Sequence, residues 1–193
     1  MGSEMCIRDR YLTGTTDLEF PDAFLGGRAA DPDQFRDELL GDLKPAALAA
    51  YGDEAELDRH LVSDAIFTEP ARYLAAEHAD AAPTYRYRFA IAEEGVLEQY
   101  GGAPHASEVA FVFDDTSQPG TAVPDAEELA DGIADLWVDF ATDGEPDGWP
   151  TADTGELMSF TLQGPRPVAD PWTARLDVVE ECSTRQETGA GTA

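Results

Sequence analysis

His105 stands in the stretch Gly102-Ala103-Pro104-His105-Ala106-Ser107-Glu108, just past a strand-like run over 84–91. A histidine on a glycine-rich loop beyond a strand's C-terminal end sits where open α/β sheets gather their chemistry. Its imidazole, with an unperturbed pKa of about 6.5, can take a proton from a serine hydroxyl and return it to a leaving alkoxide. The other two histidines, His60 and His78, fall on helical stretches with no accompanying motif and read as surface residues. Cys6 and Cys182 lie near opposite ends, which is no disulfide framework, and neither has a metal-ligand companion at useful spacing. Gly101-Gly102 lacks the spacing and the following helix of a phosphate-cradling loop. Neither a cofactor nor a metal is therefore expected. No Gly-x-Ser-x-Gly occurs in the chain, so the nucleophile that such a histidine would serve is missing from it.

The elements that must position His105 follow from periodicity. Over 84–91, Tyr85, Tyr87, Phe89 and Ile91 alternate with Arg86 and Arg88, the pattern of a strand with one apolar face. Residues 11–16 read as the end of a buried strand running into a Gly/Thr turn. Short helices are expected over 32–42, capped by Asp31 ahead of Pro32, and over 45–51. Leu57, Leu61, Ala65 and Ile66 mark one stripe of a helix over 54–66, and a second helix follows over 68–79 with Pro70 in its first turn. Residues 92–104 read as an irregular glycine-rich loop, 109–113 as a short apolar strand, and 114–124 as a further loop. The best helix covers 125–142, with Leu129, Ile133, Leu136, Trp137 and Phe140 at helical spacing. A late strand is expected over 157–162 and an extended or helical piece over 172–179. From Ser183 onward periodicity is gone and the tail reads as disordered. The fold class is α/β, strands of a central sheet with flanking helices.

Ala103-Pro104-His105-Ala106-Ser107-Glu108, Trp137-Val-Asp-Phe140 and Gly144-Glu-Pro146 together resemble the C-terminal third of a type-B carboxylesterase, the cholinesterase-like branch of the α/β hydrolases. The resemblance spans about residues 10–180 and implies an incomplete α/β-hydrolase fold. It also implies a serine hydrolase of carboxylic esters as the parent protein, with His105 as general base and then acid. In that family a strand ends in a Gly-Thr-x-x-x-Glu turn whose glutamate is the triad acid. Gly14-Thr15-Thr16-Asp17-Leu18-Glu19 is similar, which makes Glu19 the carboxylate that orients the imidazole. The acid precedes the histidine in the chain, as α/β hydrolases have it. Leu18 stands where the family usually has Asp, Phe20 where it often has Gly, and Ala106 where it has Gly. Glu108 matches an acidic position that the resemblance assigns to holding the loop by hydrogen bonding. Asp64, with Phe67 and Pro70 nearby, matches a family aspartate, for which a structural hydrogen bond is expected. Trp137, Phe140 and Trp149 read as packing.

Composition limits the partners. Forty acidic residues against twelve basic ones leave a net charge of −28, and Lys44 is the only lysine. Self-repulsion of that size destabilises a compact state at low salt and is a lever used by halophilic proteins, so adaptation to high salt is expected. With no basic stripe, nucleic acid is not a partner, and no apolar run approaches the roughly 18 residues of a membrane span. The expected partner is a small-molecule ester. Met5-Cys6-Ile7-Arg8-Asp9 back-translates to a sequence resembling a transposase end, so 1–9 read as a non-native leader before an esterase portion over 10–182. No secretion signal is evident at the start, and the compartment stays open, with the cytoplasm slightly favoured. On this reading the chain lacks ester turnover by itself, and at low salt it is partly molten or aggregating. The alternative is a non-catalytic acidic α/β module that binds a partner.

Overall fold

The computed structural model describes residues 10–20 and 32–190. The expected leader over 1–9, Cys6 and the capping residue Asp31 lie outside them. Four strands form one sheet in the order β1 (Tyr11–Thr16), β2 (Thr84–Phe89), β3 (Glu156–Thr161), β4 (Gly164–Ala169). β1 runs parallel to β2, with Tyr11 opposite Thr84 and Thr16 opposite Phe89, and β2 runs parallel to β3. β3 and β4 close an antiparallel hairpin. The described helices are α1 (Pro32–Leu40), α2 (Lys44–Tyr51), α3 (Glu54–Ser63), α4 (Glu69–Ala79), α5 (Glu94–Tyr100), α6 (Val109–Val112), α7 (Ala126–Asp143) and α8 (Thr173–Ala190). None of them is long and apolar enough to cross a membrane.

The alternation in β2 divides the molecule. Tyr85, Tyr87 and Phe89 join Phe111, Trp149 and Phe160 in a core that Leu129, Ala130 and Ile133 of α7 cover. Trp137 and Trp149 meet with ring centroids 5.3 Å apart, and Trp149 Nε1 donates to the Arg86 carbonyl at 2.9 Å, so the indoles are packing groups as expected. Phe89, Phe111 and Phe160 are fully buried, and each such side chain contributes roughly 1.5–3 kcal/mol relative to exposure. Arg86 and Arg88 point to the other face, towards Asp170 and Asp17. A second core of Leu40, Ala47, Leu57, Leu61 and Val179 ties α1, α2 and α3 to α8.

Five of the elements depart from the sequence reading. Between α3 and α4 the chain takes one π-helical stretch, Asp64–Thr68, in which the Glu69 N–H reaches the Asp64 carbonyl. The wider turn shifts the phase of the apolar stripe, and Ile66 ends 52% exposed instead of buried. The loop expected over 92–104 contains α5, which stops at Gly101 with φ 83°, a left-handed glycine C-cap. The apolar run over 109–113 is the helix α6, not a strand; so short a run cannot be told apart by periodicity. Strand β4 was not expected because Pro165 and Pro167 argue against a strand. On this outer edge they face residues of β3 at positions whose missing N–H points to solvent. Finally, α8 continues to Ala190 past Ser183, where helical order was expected to stop. Arg185 helps hold that last stretch by reaching Asp42 at 2.7 Å and Glu181 at 2.6 Å.

Candidate active site

The turn after β1 is tied down at every residue. The Asp17 N–H donates to the Phe89 carbonyl at 2.7 Å, and the Leu18 N–H donates to Ala103 at 2.9 Å. Leu18 is fully buried and forms a parallel bridge with Pro104, and the Phe20 N–H donates to Ser63 Oγ at 2.9 Å. These contacts bring the C-terminal ends of β1 and β2 to one place and set the next residue of each loop side by side. Glu19 is 5% exposed. Its Oε1 accepts the Thr16 N–H at 2.7 Å, and its Oε2 lies 2.5 Å from His105 Nδ1.

An ionised carboxylate only accepts, so in this pair Nδ1 carries the proton and Nε2 is left to exchange one. The His105 side chain is 58% exposed. It lines an open, mostly apolar cleft of about 650 Å³ with Ser107, Val109, Ala110, Phe113 and Pro119. Phe20 and Phe67 flank the imidazole, with ring centroids 6.2 and 5.5 Å from it and 5.1 Å from each other. Ala106 follows with φ 64°, in the left-handed region where a Cβ is strained and glycine is at ease. Strain of this kind is commonly held at functional sites.

Glu108 lies within electrostatic reach of both members of the pair. Burial above all, with the Glu19 charge added, pushes its carboxyl above the usual range, against a backbone hydrogen bond and the smaller effects of His105 and Tyr87, which lower it. Its Oε2 is buried without a hydrogen-bond partner. Burial and the neighbouring acids Glu108 and Glu19 in turn push the Tyr87 hydroxyl up. Phe20, Phe67, Tyr87 and Asp17 stand in the sequence reading, but none of them was assigned there to the surroundings of His105. Tyr87 fell there because the strand pattern spends it on the core.

The remaining singled-out residues lie elsewhere. Asp64 is fully buried, accepting from the Tyr51 hydroxyl at 2.8 Å and facing Arg175 Nε at 2.9 Å, a structural use. His78 Nδ1 sits 2.8 Å from Thr84 Oγ1, at the start of β2 and so at the opposite end of the strand from the His105 loop. The expectation of a surface position fails for His60, which turns inward on α3 and is 6% exposed. Burial, then the cations Arg175, Arg59 and Arg88, push its pKa down to about 3.

The chain has relatives among known proteins. Fatty acyl-CoA hydrolase precursor, medium chain, from Anas platyrhynchos is 33% identical over an alignment of 104 residues that covers 49% of this chain and 19% of that protein. A solved PNB esterase is 26% identical, with a TM-score of 0.67 over 87% of this chain and 37% of that one. Aspergillus niger EstA, at 15% identity and a TM-score of 0.66 over 90% of this chain and 40% of its own, shares the fold. The chain therefore spans about a fifth of the length of the curated relative and about two fifths of the esterase structures. The sheet with its flanking helices is part of an α/β-hydrolase fold. The carboxylesterase family model matches residues 23–173, well over half of the chain, and to the carboxylesterase family this chain belongs.

Proposed function

We propose that residues 10–182 form the C-terminal part of a serine carboxylesterase domain and supply the acid–base half of its catalytic machinery. His105 Nε2 takes the proton of a serine hydroxyl as that oxygen attacks the ester carbonyl. It then gives the proton to the departing alkoxide, leaving an acyl-enzyme. Water then resolves the acyl-enzyme: His105 Nε2 takes its proton as the oxygen attacks the acyl carbon and returns that proton to the departing serine oxygen, releasing the carboxylic acid. Glu19 fixes the Nδ1–H tautomer and stabilises the imidazolium formed in each step. The observation that carries the reading is the 2.5 Å contact between a buried carboxylate and a ring whose other face opens on a cleft. The serine and the oxyanion hole come from polypeptide preceding Tyr11 in a longer protein. The substrate is a small-molecule carboxylic ester, and the apolar cleft suits hydrocarbon rather than charged groups.

The test compares this 193-residue chain with the same chain extended at its N-terminus through a Gly-x-Ser-x-Gly segment. Hydrolysis of a p-nitrophenyl ester is expected from the extended protein alone, and His105→Gln is expected to abolish it. Turnover by the 193-residue chain would overturn the requirement for a supplied serine. Activity of the extended protein that survives His105→Gln would overturn the role of the histidine.

A further inference from the structure

We infer that Asp17 is a positioning residue that locks the acid loop to the histidine loop, held in place by Arg88 and Trp172. The inference rests on the reading of Glu19 and His105 as the acid–base pair.

Asp17 stands two residues before Glu19, and its carboxylate reaches in two directions. Arg88 of β2 brings Nε to 2.8 Å and Nη2 to 2.6 Å of the same oxygen, Oδ1. The second oxygen, Oδ2, lies over Gly102, three residues before His105. A Cβ on Gly102 would sit 3.2 Å from Oδ2 and 2.8 Å from Leu18 Cβ. Only a glycine lets the two loops approach this closely, and the carboxylate that bears on the histidine loop is anchored to the sheet by a guanidinium.

The guanidinium is itself held. Arg88 lies 4.5 Å from the centre of the Trp172 ring, and Arg175 lies 4.1 Å from the same ring. Two cations share one indole because each has its own carboxylate, Asp17 for Arg88 and Asp64 for Arg175. The backbone at Trp172 is fixed in turn: its main-chain N–H donates to Asp170 Oδ1 at 2.9 Å, and Asp170 Oδ2 pairs with Arg86 at 2.6 Å. Trp172, just ahead of α8, thus bears on the Glu19 turn through a cation–π contact to Arg88 and the ion pair of Arg88 with Asp17.

The device is a departure from the resembling family, which usually carries its aspartate at the position of Leu18. Here Leu18 is spent on the core and the carboxylate sits one residue earlier, facing β2. A site of this kind tolerates an error of only about 0.5 Å in the placement of its groups. Losing the Asp17 clamp would free both loops at once and leave the 2.5 Å Glu19–His105 contact without its outer support.

The test follows the Nδ1 proton of His105 by NMR in the ¹⁵N-histidine-labelled 193-residue chain at about 2 M KCl, once a cooperative unfolding transition there has shown it folded; a short hydrogen bond to carboxylate gives a far-downfield resonance. Asp17→Asn and Trp172→Leu are expected to lose that resonance to exchange with water. Trp172→Phe, which keeps an aromatic face under Arg88, is expected to retain it. Arg10→Gln, which removes only the exposed pair with Glu145, is also expected to retain it. An unchanged resonance in folded Asp17→Asn overturns the clamp while leaving the pair intact. Asp17→Asn decides the matter if Trp172→Leu does not fold, because it changes one atom at a half-buried position. Absence of the resonance from the unaltered chain overturns the Glu19–His105 pairing and the clamp with it.

Discussion

His60 is an imidazole hidden among cations, and the pH dependence of stability should report it. The unfolded chain protonates this side chain at about 6.5, whereas the folded chain holds its pKa down to about 3. Glu56 at 3.4 Å does not offset burial and the three arginines. As pH falls from 6.5 towards 3, the unfolded state gains a proton that the folded state refuses. The stability present above 6.5 is therefore lost across that window. Between about pH 7 and about pH 5 the loss is about 2 kcal/mol. Urea unfolding at both pH values should show the drop shrinking by about that amount in His60→Gln; equal drops would show that His60 is not the group responsible. The signal for its burial was present in the sequence. Leu57, His60, Leu61 and Asp64 lie at helical spacing and are all buried, but the stripe drawn through Ala65 ends on Ile66, which the π-helical turn carries outward while Ala65 stays against the second core. Glu19, by contrast, was legible only through family resemblance, since one glutamate among forty acidic residues carries no mark of its own.

Among the elements, β1 bears the greatest demand, because the turn that holds Glu19 hangs from its C-terminal end. Gly14 lies opposite Tyr87 in the parallel register, and a Cβ there would meet the tyrosine ring and come within 2.5 Å of its carbonyl oxygen. Backbone cannot yield as a flexible side chain does, so Gly14→Ala must push β1 from β2. The expected cost is about 1–3 kcal/mol, the range for overpacking a filled site. Thermal unfolding checks it, and an alanine variant as stable as the parent would mean that the two strands have room to separate. The strand expected over 84–91, which ends at Phe89, was readable because alternation of aromatic and charged residues has one solution when a single face is buried, whereas 11–16 was read from an apolar start running into a Gly/Thr turn. β4 was hidden by two prolines that only an outer edge admits. α6 was hidden because Val109 and Phe113 remain exposed while Phe111 alone is buried, so its few residues show no face at all.

On the scale of the whole molecule, charge and sheet edges act against each other. Twelve basic residues cannot neutralise forty acidic ones, and the arginines near the sheet are already committed to Asp17, Asp64 and Asp170. The remaining carboxylates repel one another, which keeps chains apart but also loosens each one. Among the described residues the sheet is protected on one side only: β4 carries Pro165 and Pro167, while Tyr11–Thr16 has neither a proline nor a charge among the devices that blunt an edge. In dilute buffer, where repulsion reaches about 10 Å or more, a loosened chain exposes that bare edge and its apolar neighbours. Raising salt to about 1 M shortens the range to about 3 Å and should tighten the fold before it favours association. We therefore expect a broad, low-temperature unfolding transition at about 0.05 M KCl and a sharper one at a higher midpoint at about 2 M KCl, with the ionic radius of repulsion as the variable. Calorimetry in the two buffers and at about 1 M KCl separates this from a general salting-out effect if the midpoint rises mostly below about 1 M, where screening changes fastest. A cooperative transition in the dilute buffer, at a midpoint that KCl does not move, would mean that the carboxylates are spaced widely enough to ignore one another. The high-salt reading of the composition would then have no physical basis.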